Sequence, residues 1–527
     1  MTKFVSAGAL KARLDSGARL GLVDVREHGQ YGEGHLLFAS NCPYSRLELR
    51  APYLLPDRLA EIHLYDHGDG VAERAAGRLG DAGYEDVSVL RGGLPAWMAA
   101  GYGTFKGVNV PSKVLGELVE LARHTPQVSP DAVQQMRGDG VGLCLVDGRP
   151  AQDFRKMTVP GARNLPNGEM LYRFAALCAP EDQPVVIHCA GRTRGLIGAQ
   201  SLIDAGVPNR VYALENGTQG WALSGRKLSR ENTAAPLPEL TADQVEQGRA
   251  FADRFIHTHD LPVIEADDVP AWRTGGAYLI DVRTKEEFSA GHVAGAVHAP
   301  AVQLVQATDE WVAMRRARIA LFDDNGVRAA LAAYWLRQMG HDAVVVRNGL
   351  TMADEAAPPS SVPERLPGLS CGALARLGQS AIVVDLRSSM DYRAAHVPGA
   401  IWATRPRAAE VALDARRPVV LVADDPGVAM LFALELDSDA QANCLYLEGG
   451  MEAWAQLGRP VEASPETPSD EAAIDFLFFV HDRHDGNLES SRRYLEWETG
   501  LVDQLDACER AAFDIFPGPA DAGAHAD

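Results

Sequence analysis

The sequence predicts an α/β protein of four similar domains, each a three-layer α/β/α unit with a parallel sheet, followed by a helical C-terminal segment. Three observations lead to this fold class. A chain of 527 residues is too long for one hydrophobic core. An apolar strand that ends in Asp-x-Arg occurs four times along it. After each copy, apolar strands alternate with helices, a pattern typical of parallel sheets covered on both faces.

The Asp-x-Arg copies define the length of the repeat. They are Asp24/Arg26, Asp147/Arg149, Asp281/Arg283 and Asp385/Arg387. Neighbouring copies lie more than 100 residues apart, which suits whole small domains and not the shorter units of a solenoid. Because the pair is present in every copy, we expect it to have a structural role. Buried hydrogen bonds from the pair would cap the first strand and fix the loops next to it.

Each copy continues with a second apolar strand, a short loop, a helix and a third strand. The second strands read IHLYD, PVVIHC, RIALFD and PVVLVAD. In folds of this kind, ligands bind at the carboxyl ends of strands and face the N-termini of helices. The loop after the second strand is therefore the candidate site in every repeat.

Three motifs in a fixed order carry a resemblance to a known family. The first is Asp-x-Arg. The second is a Gly-His-[Leu/Val]-x-Gly-Ala turn, seen at His292–Ala296 and His396–Ala400. The third is a closing Gly-Gly-x-x-x-Trp, as in Gly92, Gly93 and Trp97. Together they resemble the rhodanese sulfurtransferase domain, in a tandem form with four repeats.

The resemblance implies the following domain organisation. The four rhodanese-like domains are expected at 1–105, 106–232, 257–358 and 359–463, with a helix-containing linker at 233–256 and a helical extension with a disordered tail at 464–527. It also implies sulfur transfer through a cysteine persulfide, with neither a metal nor an organic cofactor.

The candidate nucleophile lies in the second repeat. The family places its nucleophile at the first loop position after the second strand. A glycine that ends the following helix sets the register of the first three repeats, and Gly449 sets that of the fourth. The positions are Asp66, Cys189, Asp323 and Asp424. Because a carboxylate cannot form a persulfide, we expect domain two to be active and the other three to be inactive.

The predicted active loop is Cys189-Ala190-Gly191-Arg192-Thr193-Arg194. A thiol at a helix N-terminus beside arginines normally has a lowered pKa, so we expect an activated thiolate. The small Ala190 and Gly191 would let the backbone wrap around the sulfur. Thr193 would supply a hydroxyl or an N–H group, and Arg192 and Arg194 would bind an anionic donor. His188 either tunes the thiol or packs into the sheet.

The expected reaction is a two-step transfer of sulfane sulfur. Cys189 takes the sulfur from a small anionic donor, with thiosulfate preferred, and a thiol or cyanide acceptor removes it. One alternative is a sulfur carrier or scaffold whose Cys189 is loaded by a protein partner. Another is a phosphatase or arsenate reductase. Such enzymes use the spacing Cys-x5-Arg. Here Arg194 follows Cys189 with the shorter spacing Cys-x4-Arg.

Composition restricts the partners and the compartment. A net charge of −21 argues against nucleic-acid binding. No run of about 20 apolar residues predicts a membrane span, and the first residues do not resemble a secretion signal, so we expect a cytoplasmic protein. Seven cysteines without a CxxC pair argue against a disulfide framework. Most of them should be reduced, and adjacent carboxylates such as Asp323 and Asp324 suggest polar turns and not metal sites.

Linkers and the C-terminus suggest how the repeats are arranged. Pro-rich segments at 228–242 and 354–367 predict two double-domain halves, 1–230 and 255–463, with the active site in a cleft between domains one and two. A helix is expected at 241–256. Two amphipathic helices are expected within 469–515, on either side of a break at 484–487. Their apolar stripe and the inactive domains would bind a protein partner or a second subunit.

Overall fold

The computed structural model describes residues 2–177, 183–352, 366–414 and 416–517. Each of the four repeats forms a five-stranded parallel sheet. The order of strands in space follows one pattern in every repeat, in which the central strand is the one that precedes the candidate loop. This confirms the predicted fold class. No helix in the described part of the chain is both long enough and apolar enough to span a membrane.

Repeat one contains strands β1–β5 and helices α1–α5. The strands are Lys3–Val5, Gly21–Asp24, Ser40–Asn41, Glu61–Tyr65 and Asp86–Leu90, and the helices are Ala7–Asp15, His28–Glu33, Leu47–Leu54, Val71–Asp81 and Gly93–Ala99. The sheet order is β1-β5-β4-β2-β3. Buried Val and Leu side chains of β2 and β4 lie in its centre, as expected for a sheet covered on both faces.

Repeat two contains strands β6–β12 and helices α6–α11. The strands are Gln127–Val128, Cys144–Asp147, Met157–Thr158, Arg163–Asn164, Val185–His188, Val211–Leu214 and Ser229–Arg230, and the helices are Val110–Arg123, Pro130–Gly138, Ala151–Lys156, Asn167–Leu177, Thr193–Asp204 and Gly217–Leu223. The main sheet has the order β6-β11-β10-β7-β9, and β8 pairs with β12 separately. Its core includes Val146, Val185, Ile187 and Leu196.

The linker helix α12 (Ala242–Thr258) and repeat three follow. Thr241 caps this helix, and its boundaries agree closely with the expected 241–256. Repeat three contains strands β13–β17 at Val263–Glu265, Tyr278–Asp281, Val297–His298, Arg318–Phe322 and Asp342–Arg347, and helices α13–α16 at Val269–Trp272, Lys285–Ala290, Ala301–Gln306 and Val327–Gln338. Its sheet order is β13-β17-β16-β14-β15.

Repeat four contains strands β18–β22 and helices α17–α21. The strands are Gly368–Leu369, Ile382–Asp385, Ile401–Trp402, Val419–Val422 and Cys444–Leu447, and the helices are Cys371–Leu377, Ser389–Ala394, Pro426–Ala433, Ser438–Ala442 and Gly450–Gln456. The sheet order is β18-β22-β21-β19-β20. The helix after the candidate loop is interrupted here, because α19 and α20 replace the single helix of the other repeats.

The repeats are not paired as the linkers suggested. One compact unit comprises Met1–Ala12, Leu20–Val108 and Pro358–Phe479, which joins repeats one and four. The other comprises Arg13–Arg19, Asn109–Ala357 and Val480–Asp527, which joins repeats two and three to the C-terminus. The expectation of halves 1–230 and 255–463 is therefore wrong, and the active site expected between domains one and two stays a prediction. Most of the second Pro-rich linker lies outside the described residues.

Polar side chains on facing helices explain the observed pairs. In the second unit, Arg328 of α16 is fully buried and its Nη1 lies 3.0 Å from Glu169 Oε1 of α9. The indole of Trp335 donates to the Ser201 hydroxyl at 2.9 Å. In the first unit, Arg405 of repeat four forms a two-pronged ion pair with Glu48 of repeat one. Such paired, buried charges specify a partner face that apolar periodicity does not encode.

The C-terminal segment forms one of the two expected helices. Helix α22 (Leu488–Thr499) follows the break at 484–487, and a short helix α23 (Ala507–Arg510) comes later. The stretch before the break is not α-helical, so the helix expected there is wrong. Its backbone bonds to repeats one and four instead: Ile474 O accepts from Gln30 N, and Pro468 O accepts from the Arg393 guanidinium. The expected disordered tail, 518–527, lies outside the described residues.

Candidate active site

Cys189 is the first residue after the central strand β10 of repeat two. His188, which ends this strand, pairs with Asp147 of β7, and helix α10 begins four residues after Cys189, at Thr193. This is the carboxyl end of a parallel sheet facing a helix N-terminus, as the sequence predicted. The cysteine is covered, with 5% of its surface exposed. It is one of five free thiols in the described residues, the others being Cys42, Cys371, Cys444 and Cys508, whereas Cys144 is disulfide-bonded.

Strand register identifies the matching residue in each repeat. The Asp of Asp-x-Arg pairs with Tyr65, His188, Phe322 and Val422 in repeats one to four, and the next residue is the loop position. This places Asp66 and Asp323 where the sequence predicted. In repeat four, however, the position belongs to Ala423, so the assignment of Asp424 is wrong by one residue. Alanine also lacks an atom that can accept sulfur.

The equivalent aspartates show what the loop is built to hold. In repeat one, Ala72 N donates to the Asp66 carboxylate at 2.9 Å. In repeat three, Ala329 N donates to the Asp323 carboxylate at 3.2 Å. Both donors lie six residues after the aspartate. The residue six positions after Cys189 is Gly195, whose N–H favours the thiolate and so opposes the rise in the pKa of Cys189. The same backbone groups therefore surround a carboxylate in two repeats and a sulfur in repeat two.

Helix α11 supports the loop from the side. Thr218 N donates to Cys189 O at 2.9 Å, and Gln219 N donates to Ala190 O at 3.0 Å. Gly217 makes this approach possible, because it adopts φ +54° and a Cβ there would lie 2.3 Å from Cys189 O. The loop is thus fixed through its carbonyl groups.

The two loop arginines have different surroundings. Arg192 forms a two-pronged ion pair with Glu117 of α6, at 2.7 and 3.0 Å. Its guanidinium is therefore committed to a neighbouring helix. Arg194 Nη1 contacts Asp153 at 3.1 Å, and its Nε is buried without a hydrogen-bond partner. Arg194 also favours the thiolate of Cys189, so it is the arginine whose charge acts on the sulfur.

Helix α22 brings side chains onto the loop that the sequence did not indicate. The Thr193 hydroxyl donates to Glu498 Oε1 at 2.7 Å. A Cβ on Gly191 would lie 2.6 Å from Glu498 Oε2 and 2.9 Å from a ring carbon of Tyr494. Glu498 is 305 residues from Thr193 in sequence. Only the apolar stripe of this helix was visible in the sequence, and it predicted packing and not a contribution to the site.

The thiol of Cys189 is not activated in this arrangement. Burial raises its pKa above the ordinary value, and the Glu498 carboxylate raises it further, against the opposing effects of Arg194 and the Gly195 N–H. The expectation of a lowered pKa is therefore not met. The physical reasons are the burial of the sulfur and the negative charge that Glu498 of the C-terminal segment adds.

His188 and the Asp-x-Arg pair are structural. His188 is fully buried, and burial lowers its pKa, so it is neutral at pH 7. Its ring lies near Thr158 and Asp147. Arg149 binds both oxygens of Asp147 and also donates to Met157 O at 2.6 Å. In each of the other repeats, the arginine likewise donates to the carbonyl group eight residues after it, at Gly34, Gly291 and Ala395. The predicted capping role is confirmed.

The adjacent carboxylates of repeat three are already engaged. Asp323 accepts from four backbone N–H groups, those of Asn325, Gly326, Arg328 and Ala329. Asp324 accepts from the Arg328 guanidinium at 2.6 Å. Backbone amides and a buried arginine thus supply the charge compensation that a cation would otherwise provide. This favours the expected polar turn over a metal site.

Comparison with known proteins agrees with this architecture. The model of the rhodanese-like domain matches residues 6–100, 129–224, 265–352 and 373–457. The chain belongs to the rhodanese-like family. Its structure is similar to the crystal structure of a thiosulfate sulfurtransferase from Pseudomonas aeruginosa, with a TM-score of 0.89 and 34% identity, covering 98% of this chain and 99% of that one.

Two curated relatives match single repeats. An uncharacterized protein of Synechocystis is 34% identical over 102 residues, which are 19% of this chain and 55% of that protein. The uncharacterized protein YqhL of Bacillus subtilis is 34% identical over 76 residues, 14% of this chain and 59% of that protein. This chain therefore matches little more than half the length of each of these two relatives.

Proposed function

We propose that this rhodanese-like protein is a sulfurtransferase that moves a sulfane sulfur from a small anionic donor, preferably thiosulfate, to a thiol or cyanide acceptor through a persulfide on Cys189. The observation that carries the proposal is the shared loop of repeats one, two and three. In repeats one and three its N–H groups donate to the carboxyl groups of Asp66 and Asp323, and in repeat two the same place holds a sulfur. The similarity to a thiosulfate sulfurtransferase over nearly the whole chain supports it.

The chemistry requires no group beyond the cysteine and its loop. The Cys189 thiolate attacks the outer sulfur of thiosulfate, an S–S bond forms to Sγ, and the original S–S bond breaks with its electron pair leaving on sulfite. The terminal sulfur then carries a negative charge, which the Gly195 N–H and the helix N-terminus stabilise. Cyanide attacks that terminal sulfur, which forms thiocyanate and returns the thiolate.

The loop residues have separate roles in this proposal. Ala190 and Gly191 contribute backbone, and Gly191 has no room for a side chain. Arg194 binds the sulfonate end of the donor, because its charge already acts on the sulfur and its Nε has no hydrogen-bond partner. Arg192 holds the loop to α6 through Glu117. The Thr193 hydroxyl donates a hydrogen bond to Glu498 in this structure, so Thr193 binds the sulfur donor only when that hydrogen bond is broken.

A second candidate function follows from the burial of Cys189. With 5% of its surface exposed and α22 packed on its loop, the thiol is poorly accessible beside the C-terminal segment in this structure. A protein partner that displaces this segment would make the chain a sulfur carrier, loaded by that partner. The two candidates differ in whether a small donor is sufficient.

Initial-rate kinetics test the first candidate. With thiosulfate and cyanide both varied, we expect parallel double-reciprocal lines, as for a reaction through a covalent intermediate. Cys189→Ser should reduce thiocyanate formation to the uncatalysed rate. Cys508→Ser removes an exposed free thiol and is the matched control, with unchanged turnover. No turnover in the wild type, combined with sulfur loading from a persulfidated protein, would favour the carrier.

A further inference from the structure

Helix α22 places a buried carboxylate beside the reacting sulfur. Glu498 is 1% exposed, and its Oε1 accepts the hydrogen bond from Thr193. Its Oε2 has no hydrogen-bond partner among the described residues and lies against Gly191 of the loop. A buried carboxylate oxygen without a donor is destabilising, so packing alone does not explain why a glutamate lies here.

A second unpartnered group faces the same part of the loop. Gln219 is 2% exposed, and neither its amide nitrogen nor its amide oxygen has a hydrogen-bond partner in the described structure. Its Nε2 would lie 3.6 Å from a Cβ on Gly191, close to Glu498 Oε2. Buried polar groups are normally satisfied. Two that are not, on one face of the sulfur loop, indicate a place where part of a reactant binds.

The charge of Glu498 reaches the groups around it. It opposes ionisation of the Cys189 thiol, and it supports the charge of Lys113, whose pKa burial lowers to about 8. Lys113 lies on α6, with its Nζ 5.6 Å from the centre of the Trp497 ring of α22. Arg194 has the opposite effect on the thiol and lowers its pKa. The sulfur is therefore surrounded by a few opposed charges in a site with little water, where each charge has a large effect.

We propose that Glu498 is a specificity-determining residue for sulfur transfer at Cys189. Its carboxylate adds one negative charge to the enclosed site, so that a reactant with higher negative charge reacts more slowly than one of similar shape with lower charge. The same charge narrows, without reversing, the proposed preference for doubly charged thiosulfate over a singly charged hydropersulfide. The conclusion about the sulfur donor rests on the proposed function. The effect of the Glu498 charge on reactants at Cys189 does not depend on it.

Two alkylating agents of nearly equal size test the charge effect directly. Iodoacetate is an anion and iodoacetamide is neutral, and both form an S–C bond to the thiolate with loss of iodide. The rate of each is measured at Cys189 of the full-length protein by peptide mass spectrometry, because the exposed Cys508 also reacts. The ratio of the two rates at one pH is independent of the thiolate fraction.

In Glu498→Gln we expect the iodoacetate-to-iodoacetamide ratio to rise roughly ten-fold, as loss of one nearby charge in a water-poor site implies. Glu498→Asp keeps the charge and should stay within about two-fold of the wild type on the same argument. Glu496→Gln is the matched control, since Glu496 lies on the same helix and is exposed. Its ratio should not change.

An unchanged ratio in folded Glu498→Gln overturns the proposal, as does an equal rise in Glu498→Asp, which would indicate packing and not charge. Circular dichroism checks folding. If the glutamine variant does not fold, Glu498→Met provides the same test with an apolar side chain of similar length. Since alkylation needs no sulfur transfer, a shifted ratio without turnover would contradict only the proposed function. Turnover with an unshifted ratio would contradict only the role of Glu498.

Discussion

The loops of repeat two and repeat three share one backbone design and differ in the residue at its centre. Asp323 fills its loop, because four backbone N–H groups donate to its carboxylate. Cys189 occupies the same place in repeat two, where the Gly195 N–H favours its thiolate. The comparison indicates that the loop backbone is arranged to donate hydrogen bonds to its central residue. Whether it is catalytic depends on whether its central residue can gain and release an atom.

The largest expected effect concerns stability. Asp323→Ala leaves four backbone N–H groups without their acceptor, so we expect it to lower the free energy of unfolding by about 3 kcal/mol. Cys189→Ala removes one small apolar group and should lower it by about 1 kcal/mol. Urea denaturation, followed by circular dichroism, measures both. Equal losses would contradict the view that the aspartate is structural and the cysteine is functional.

Substitution of the two arginines of the active loop should affect different properties, catalysis for Arg194 and stability for Arg192. Arg194→Gln should lower kcat/KM for thiosulfate about ten-fold or more, because it removes a charged contact to the donor. Arg192→Gln leaves the buried Glu117 without its cation, and should reduce stability while affecting kcat/KM less. Steady-state kinetics with parallel thermal unfolding separate these effects. The reverse result would assign donor binding to Arg192.

A smaller effect is expected from pH. Burial lowers the pKa of His484, in the C-terminal segment, to about 3, so the ring is neutral in the folded protein. The unfolded chain binds a proton below about pH 6.5, so stability falls as pH falls through this range. Allowing for its partial exposure, we expect about 1 kcal/mol between pH 7.5 and pH 5.

His484→Asn should therefore show a smaller decrease in Tm over this pH interval than the wild type. The exposed His257→Asn serves as the control and should behave like the wild type. An identical pH dependence in all three proteins would show that His484 does not stabilise the segment that covers Cys189.

Much of the fold was predictable because it is encoded locally. The repeated Asp-x-Arg pair and the apolar strands identified the sheets, and the position of Cys189 followed from strand order. The register failed in repeat four, where the following helix is divided into α19 and α20. Counting back from Gly449 therefore selected Asp424, whereas strand pairing selects Ala423.

The pairing of repeats and the cover over the site were not predictable in this way. Both depend on contacts between residues far apart in sequence, such as Arg328 with Glu169 and Thr193 with Glu498. No local pattern marks either contact. The expected activated thiol was wrong partly for the same reason, because the carboxylate that adds to the effect of burial on its pKa belongs to a distant segment. The cytoplasmic location stays a prediction.

Intact-protein mass spectrometry after incubation with thiosulfate tests the central claim most directly. The wild type should gain the mass of one sulfur atom and lose it again on treatment with cyanide, while Cys189→Ser should gain nothing. A sulfur adduct that persists in Cys189→Ser, or no adduct in the wild type with thiosulfate, mercaptopyruvate or polysulfide, would contradict the account of Cys189 as the sulfur-carrying nucleophile for small donors.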